Sequence, residues 1–516
     1  MNMKKLAFGS LYVGGAVAAT RLLFARPAPV KPIANDSSHD TIDAYIEGQM
    51  RRLKIPGAFL AVVKGEKTVH LRGFGRARPG GELPTPQTPF FIGSLAKSIT
   101  ALAVMQLVEA GKIELDAPVQ RYLPWFRVAD PRASAQMTVR HLLNQNSGLP
   151  MIGGTVALAD LDDRPDATER QVRALATLKI TRPAGSKWEY SNLNYNVLGL
   201  IVEAASGDPY AEYVHKHILE PLDMRRTYTE KKLAQENGLV MGYRHWFSFP
   251  FPAPDLPVPR GSLPSGQLIS CAEDMTHYLI AHLNGGRYGD AQLLSAPGFD
   301  ELHRGAAEFA YGSFAAGRYG MGWFETDLDG TKIYSHGGNV PDFSAFMALV
   351  PEQDKGLVVL FNADPYALPA ITEEVGTGMT AVLAGQQPPP IRLDFIQWIM
   401  RLLPLIPLTQ VAGVILTLRR VRQWRRDPAL RPDGGWLWGR HILLPLIPNL
   451  SLAAILAYLR SSGLLGYLQL YMPDLAWVAR ISGGFAGPWA SLRTRLILRT
   501  LREPMASNDQ MEDTRP

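Results

Sequence analysis

Two stretches near the end of the chain restrict what it can fold into more than any other feature. Leu402 to Leu418 is seventeen residues without a formal charge, and His441 to Leu459 is nineteen without Lys, Arg, Asp or Glu. Both are near the length needed to cross a bilayer. A segment in hydrocarbon must satisfy its own backbone N–H and C=O groups, so both are expected as helices. Phe395 to Met400 extends the first, with Arg401 near one interface, and Leu464 to Leu492 is a third candidate interrupted by Asp474 and Arg480. The prolines at 404, 407, 445 and 448 kink helices but are tolerated in membranes. About three transmembrane helices are therefore expected over 395–502.

Charge sets the expected orientation. Arg419, Arg420, Arg422, Arg425, Arg426, Arg431 and Arg440 lie between the first two stretches, against only Asp427 and Asp433. Arg493, Arg495, Arg499 and Arg502 follow the third. Excess arginine marks cytoplasmic segments, so three crossings put the domain before residue 390 outside and the C-terminus inside. At the other end, Lys4 and Lys5 precede an apolar run from Leu6 to Ala19, the pattern of an export signal. Ala16 and Ala18 suit cleavage, while Arg21 followed by Leu22-Leu23-Phe24-Ala25 leaves an uncleaved anchor open. Both ends thus place the intervening domain outside a cell membrane, the inner one if the envelope has two. An amphipathic bundle lying on the membrane is the alternative. The net charge of +6 resides largely in these flanks and argues for a membrane partner and against nucleic acid. With Cys271 as the single cysteine, no intrachain disulfide forms, and the residue is expected to be a small buried hydrophobe.

The expected organisation is a signal peptide or anchor at 1–26, a linker at 27–40, one large domain at 41–385 and a proline-rich joint at 386–394. The membrane region and a disordered tail at 503–516 follow. In the large domain a helix is expected from Thr41 to Leu53, then a hairpin from Ala58-Phe59-Leu60-Ala61-Val62-Val63 into Thr68-Val69-His70-Leu71. The stretch from about 94 to 230 reads as mostly helical. Gly320 to Phe324, Lys332 to His336, Phe343 to Val350 and Gly356 to Phe361 read as strands. Strands at both ends with helices between predict one antiparallel sheet flanked by helices, an α+β fold with a helical subdomain.

The chemistry begins at Phe91-Ile92-Gly93-Ser94-Leu95-Ala96-Lys97-Ser98. The apolar run that follows, ending at Gly111, predicts a buried helix with Ser94 in its first turn and Lys97 one turn on. A serine hydroxyl is a weak nucleophile near neutral pH, and an amine at i+3 supplies a base beside it. Four further segments accompany the pair: His141-Leu142-Leu143 through Asn146-Ser147-Gly148-Leu149; Glu189-Tyr190-Ser191-Asn192; Pro264-Ser265-Gly266-Gln267; and Ser335-His336-Gly337-Gly338-Asn339.

In this order the motifs resemble the serine β-lactamase and penicillin-binding protein superfamily over roughly residues 40 to 380, nearest its class C-like, esterase- and aminopeptidase-like branch. The resemblance implies a β-lactamase/transpeptidase-like fold, with Ser94 as nucleophile, Lys97 as its paired lysine and Tyr190 sharing proton transfer. It implies Asn192 as the companion amide and His336, Gly337 and Gly338 as the substrate-binding triad of the last active-site strand. The oxyanion hole would be the N–H groups of Ser94 and Asn339. Either Lys97, desolvated, or Tyr190, as a phenolate stabilised by ammonium, can take the proton. Two glycines would allow substrate close to an exposed strand edge. No cofactor and no metal are implied.

One departure bears on substrate. Where many relatives carry Lys-Thr-Gly, this chain has His336-Gly337-Gly338. A histidine is only partly charged at neutral pH and glycine offers no hydroxyl, which weakens recognition of a substrate carboxylate. The expected function is a membrane-anchored serine hydrolase acting on a small-molecule, peptide or lipid ester or amide of the cell envelope through an acyl-enzyme on Ser94, as an esterase or peptidase. The alternative is a D-Ala-D-Ala carboxypeptidase or β-lactamase. A second alternative is a non-catalytic binding or regulatory module of the same fold.

Overall fold

The middle strands of the main sheet are apolar at nearly every position, which requires cover on both faces. In the computed structural model, which describes residues 39–311, 315–365, 369–391, 395–432 and 437–503, eight strands form this sheet. They are β1 (Gly57–Lys64), β2 (Lys67–Gly75), β3 (Ala307–Tyr311), β4 (Ala315–Tyr319), β5 (Phe324–Leu328), β6 (Thr331–Val340), β7 (Phe343–Val350) and β8 (Lys355–Phe361). Their order is β2-β1-β8-β7-β6-β5-β4-β3, with every pairing antiparallel. The N-terminal hairpin closes one side through Leu60↔Val359 and its neighbours, as the sequence predicts.

Side chains alternate across the sheet. Ala345, Met347 and Leu349 of β7 enter the large core shared with helix α1 (Ala96–Glu109) and helix α2 (Asn192–Ser206). Phe346 points the other way, against Gly376 of helix α3 (Pro369–Leu383). The expected N-terminal helix runs from His39 to Leu53 on that same side, where Tyr45 meets Gly378.

Two local expectations change. Ser94 lies in a short 3₁₀ turn, Gly93–Leu95, that precedes α1 instead of in its first α-turn. Gly320 to Trp323 is not a strand: the Gly320 N–H donates to the Trp323 carbonyl at 2.8 Å and closes a turn between β4 and β5. The fully buried Trp323 drives it inward, 4.9 Å from the His282 ring and 5.4 Å from His303. Cys271 is buried, and its Sγ accepts the Asp274 N–H.

The chain divides into two units, with the boundary between Trp398 and Ile399. Among the described residues, two helices are long and apolar enough to cross a membrane, Phe395–Arg426 and Gly439–Ser461. Large apolar side chains stand open along them, with Leu408 60% and Ile447 63% exposed, a surface suited to lipid. These two helices are the basis for membrane anchoring. The expected third span is not one continuous apolar helix. It divides at Met472 into Leu464–Tyr471 and Pro473–Arg502, and the latter carries Asp474, Arg480 and Arg493. Arg493 is buried and donates to the His441 carbonyl at 2.6 Å and to Thr417 Oγ1 at 3.2 Å, tying this helix to the two apolar ones. The expected export segment and residues 27–38 of the first linker lie outside the described residues, as do 392–394 and 504–516.

Candidate active site

Three turns of chain converge on one amine. Lys97, in the first turn of α1, is fully buried. Its Nζ donates to Asn192 Oδ1 at 2.7 Å and to the Ser265 carbonyl at 2.6 Å, and it lies 2.9 Å from Ser94 Oγ. Burial drives the Lys97 pKa well below its ordinary value. A neutral amine has two N–H donors and one lone pair. In that form the two fixed acceptors would use both donors and leave the lone pair toward the Ser94 hydroxyl.

Each partner is held by its own element. Asn192 opens α2 and its amide orients through Nδ2 to the Gly154 carbonyl at 3.5 Å. The segment before it is clamped by Gln145, whose Oε1 accepts the Ser191 N–H at 2.8 Å and whose carbonyl accepts the Glu189 N–H at 2.8 Å. Gln145 sits at φ 55°, at the end of the His141–Leu143 segment, which gives that motif its structural purpose. His141 itself caps its helix reciprocally with Thr138. Ser265 belongs to the short helix Leu263–Gly266. The half-buried Tyr190 ring has its centroid 4.9 Å from Lys97 Nζ and 6.2 Å from the His336 ring.

β6 brings in the remaining residues. Its pairing with β5 stops at Ser335↔Phe324, so residues 336–340 form a free edge beside the Ser94 turn. Gly93, at φ 56°, has space for no side chain: a Cβ there would lie 2.5 Å from the Asn339 backbone nitrogen. That approach puts the Asn339 N–H next to the Ser94 turn. The Asn339 side chain turns to the opposite face and donates to Asp364 Oδ1 at 2.8 Å and Thr372 Oγ1 at 2.9 Å.

The triad departs from expectation in two respects. His336 is 1% exposed, and burial, aided by neighbouring Lys97, lowers its pKa to about 3. It is neutral, not partly charged, at physiological pH. Its Nδ1–H donates to the Gly337 carbonyl at 2.6 Å, so Nε2 is the acceptor facing the Tyr319 hydroxyl at 3.4 Å. The glycines serve contacts within the protein. A Cβ on Gly338 would meet the Ile92 carbonyl at 2.1 Å, and one on Gly337 would meet the carboxyl of Glu373 on α3.

Glu373 and the Ser265 carbonyl are absent from the sequence-based site. Burial raises the Glu373 carboxyl to about 7, with the Gly337 N–H opposing the shift. A lone glutamate 36 residues past Gly337 carries no local signal. Ser265 contributes a main-chain atom, which no residue type announces. Trp188 packs with Phe309 and Phe324 as a wall. Among the described residues no cluster of His, Cys, Asp and Glu is arranged to hold a metal.

Comparison with known proteins agrees with this frame. Residues 42–374 match the family described as Beta-lactamase, and the chain belongs to that family. Protein flp of Staphylococcus aureus (strain MW2) is 29% identical over 351 residues, covering 67% of this chain and 67% of that protein. Penicillin-binding protein 4 of Amycolatopsis lactamdurans is 31% identical over 313 residues, 60% of this chain and 81% of that protein. The octameric penicillin-binding protein homologue from Pyrococcus abyssi superposes with a TM-score of 0.60 at 29% identity, covering 68% of this chain and 78% of that one.

Proposed function

We propose that the chain is a membrane-anchored serine hydrolase that reacts with a carboxylic acyl donor through an acyl-enzyme on Ser94. The observation that carries this is the Lys97 amine, stripped of solvent and with both of its donors occupied, beside the Ser94 hydroxyl. Lys97 takes the Ser94 proton as Oγ bonds to the substrate carbonyl carbon. The N–H groups of Ser94 and Asn339 hold the oxyanion, a type of contribution commonly worth ~3 kcal/mol per donor. When the bond to the leaving group breaks, the proton on Lys97 passes to it, with Tyr190 placed to assist. Water then attacks the ester on Ser94 as Lys97 accepts its proton, the bond to Ser94 Oγ breaks, Lys97 returns the proton to that oxygen, and the acid is released.

Two relatives are named for penicillin binding, which favours a D-Ala-D-Ala carboxypeptidase or β-lactamase over a general esterase. A specific observation supports the second reading, an ester hydrolase: the triad position that carries a lysine in many relatives holds a neutral, buried histidine. Intact-mass detection of Ser94 adducts against penicillins, esters and D-amino-acid peptides separates these readings. Release of D-alanine or a lasting penicilloyl adduct supports the first, and turnover of esters alone supports the second. Ser94→Ala is expected to lose every adduct while unfolding at the same temperature. Unchanged acylation in that variant would overturn the proposal.

A further inference from the structure

A cavity of about 390 Å³ lies among segments that adjoin the Ser94 site in the chain and carries no assigned role. Phe91, three residues before Ser94, Val340, which follows the Asn339 N–H, and Gln267, two residues after the Ser265 carbonyl, form its inner wall. Gly266, next to Gln267 in the chain, comes close to the candidate oxyanion hole: a Cβ on it would lie 3.8 Å from the Ser94 nitrogen. Val240, Leu256, Val258 and Phe343 make the rest largely apolar. The volume falls in the range of small-molecule sites.

The charged groups along the cavity are mostly spent on one another or on backbone. Lys231 is paired with Asp255 and also donates to the Leu256 carbonyl at 2.6 Å. Asp342 takes a two-pronged ion pair from Arg244 at 2.7 and 2.8 Å. Arg78 is exposed and donates to the Leu239 carbonyl at 3.3 Å. One polar group is left over. Gln267 is 3% exposed, and among the described residues its Nε2 has no hydrogen-bond partner. A buried donor of this kind costs free energy until an acceptor arrives.

We propose that this cavity binds the acyl portion of the substrate, and that this portion is an uncharged, apolar chain with one acceptor oxygen set against Gln267. The chain's carbonyl reaches Ser94 while its tail lies along Val240, Leu256 and Val258. Among the described residues a charged stem peptide meets a lining cation without a carboxylate partner only at the exposed Arg78, whereas a fatty-acyl type of chain buries its methylenes along the apolar wall. This inference rests on the acyl-enzyme reading of Ser94 and specifies the substrate class of its second, ester-hydrolase form. Each methylene buried is worth up to about fourfold in kcat/KM, from about 0.8 kcal/mol.

The test is hydrolysis of p-nitrophenyl esters from acetate to dodecanoate by the full chain in detergent below the esters' micellar concentrations. Benzylpenicillin adduct formation is followed alongside by intact mass. The expected kcat/KM rises at least tenfold from acetate to a medium-length chain and falls beyond it. Val258→Trp is expected to lower the octanoate-to-acetate ratio at least tenfold, and its thermal midpoint reports whether it folds. A flat or declining series with acylation of Ser94 intact overturns the cavity's role and leaves the acyl-enzyme reading standing. So does a length preference that Val258→Trp and Val240→Trp, both folded, leave unchanged. Failure of both acetate ester and penicillin to acylate Ser94 overturns both.

Discussion

Lys97 shows how a residue type acquires chemistry from its surroundings. An ammonium at full burial is costly, and among the described residues its hydrogen-bond contacts are an amide oxygen, a carbonyl and a hydroxyl, with no carboxylate. Burial therefore shifts Lys97 strongly toward the neutral amine. Two predictions follow at this scale. Lys97→Ala is expected to slow Ser94 acylation by about 10²–10⁴, read from the rate of adduct formation. Asn192→Asp places a carboxylate 2.7 Å from the amine and is expected to restore the ammonium. Acylation in wild type should appear as pH rises through a Lys97 pKa well below the ordinary 10.5. In Asn192→Asp that rise should move to higher pH by about 1–3 units. An unmoved pH profile would argue against Lys97 as the base.

At the scale of elements, the site depends on how closely strand β6 approaches the Gly93–Leu95 turn. The two triad glycines differ in what opposes a side chain. At Gly338 the obstacle is the Ile92 carbonyl, which is main chain and cannot yield without moving the strand. At Gly337 it is the end of the Glu373 side chain, which can swing away. Gly338→Ala is therefore expected to cost about 1–3 kcal/mol and to remove most acylation by displacing the Asn339 N–H. Gly337→Ala should cost well under that and retain acylation. Denaturant midpoints and adduct rates measured together check the contrast, and equal effects at the two positions would contradict it. The glycines were legible in the sequence as a motif. Their reason was not, because both obstacles come from segments distant in the chain or on the far face of the sheet.

For the whole molecule, buried titratable groups set the pH dependence of stability. His336 and His245 have folded pKa values of about 3 and about 4, below the ordinary 6.5. The unfolded chain therefore binds protons that the native state refuses. The stability they contribute is complete above pH 6.5 and declines as pH falls, by about 1.4 kcal/mol per unit for each histidine between its two values. Glu373, raised from 4.5 to about 7, acts in the opposite sense and loses its contribution as pH rises through that window. Replacing His336 by Asn should flatten the acid side of the stability curve, measured by denaturant unfolding between pH 4 and 7. An unaltered slope would show that His336 titrates normally. The C-terminal unit yields a separate expectation. A chain ending at Pro390 should fractionate as soluble, and the full chain with membranes, by virtue of the two apolar helices.

The sequence by itself determined the elements whose signals are local. The Ser94-x-x-Lys97 spacing, the N-terminal hairpin, the apolar strands from Phe343 to Phe361 and two charge-free stretches that become helices are all patterns within one short window. Periodicity and polarity report such features directly. Only the tertiary structure decided what depends on distant partners. It placed the Ser265 carbonyl and Asn192 on the Lys97 amine, buried His336 into neutrality, and set Glu373 behind Gly337. It also folded Gly320 to Trp323 as a turn and divided the third apolar segment at Met472. Desolvation, close approach and the filling of an amine's donors are properties of neighbourhoods, and these neighbourhoods join residues far apart in the chain, as Lys97 with Ser265 and Gly93 with Asn339.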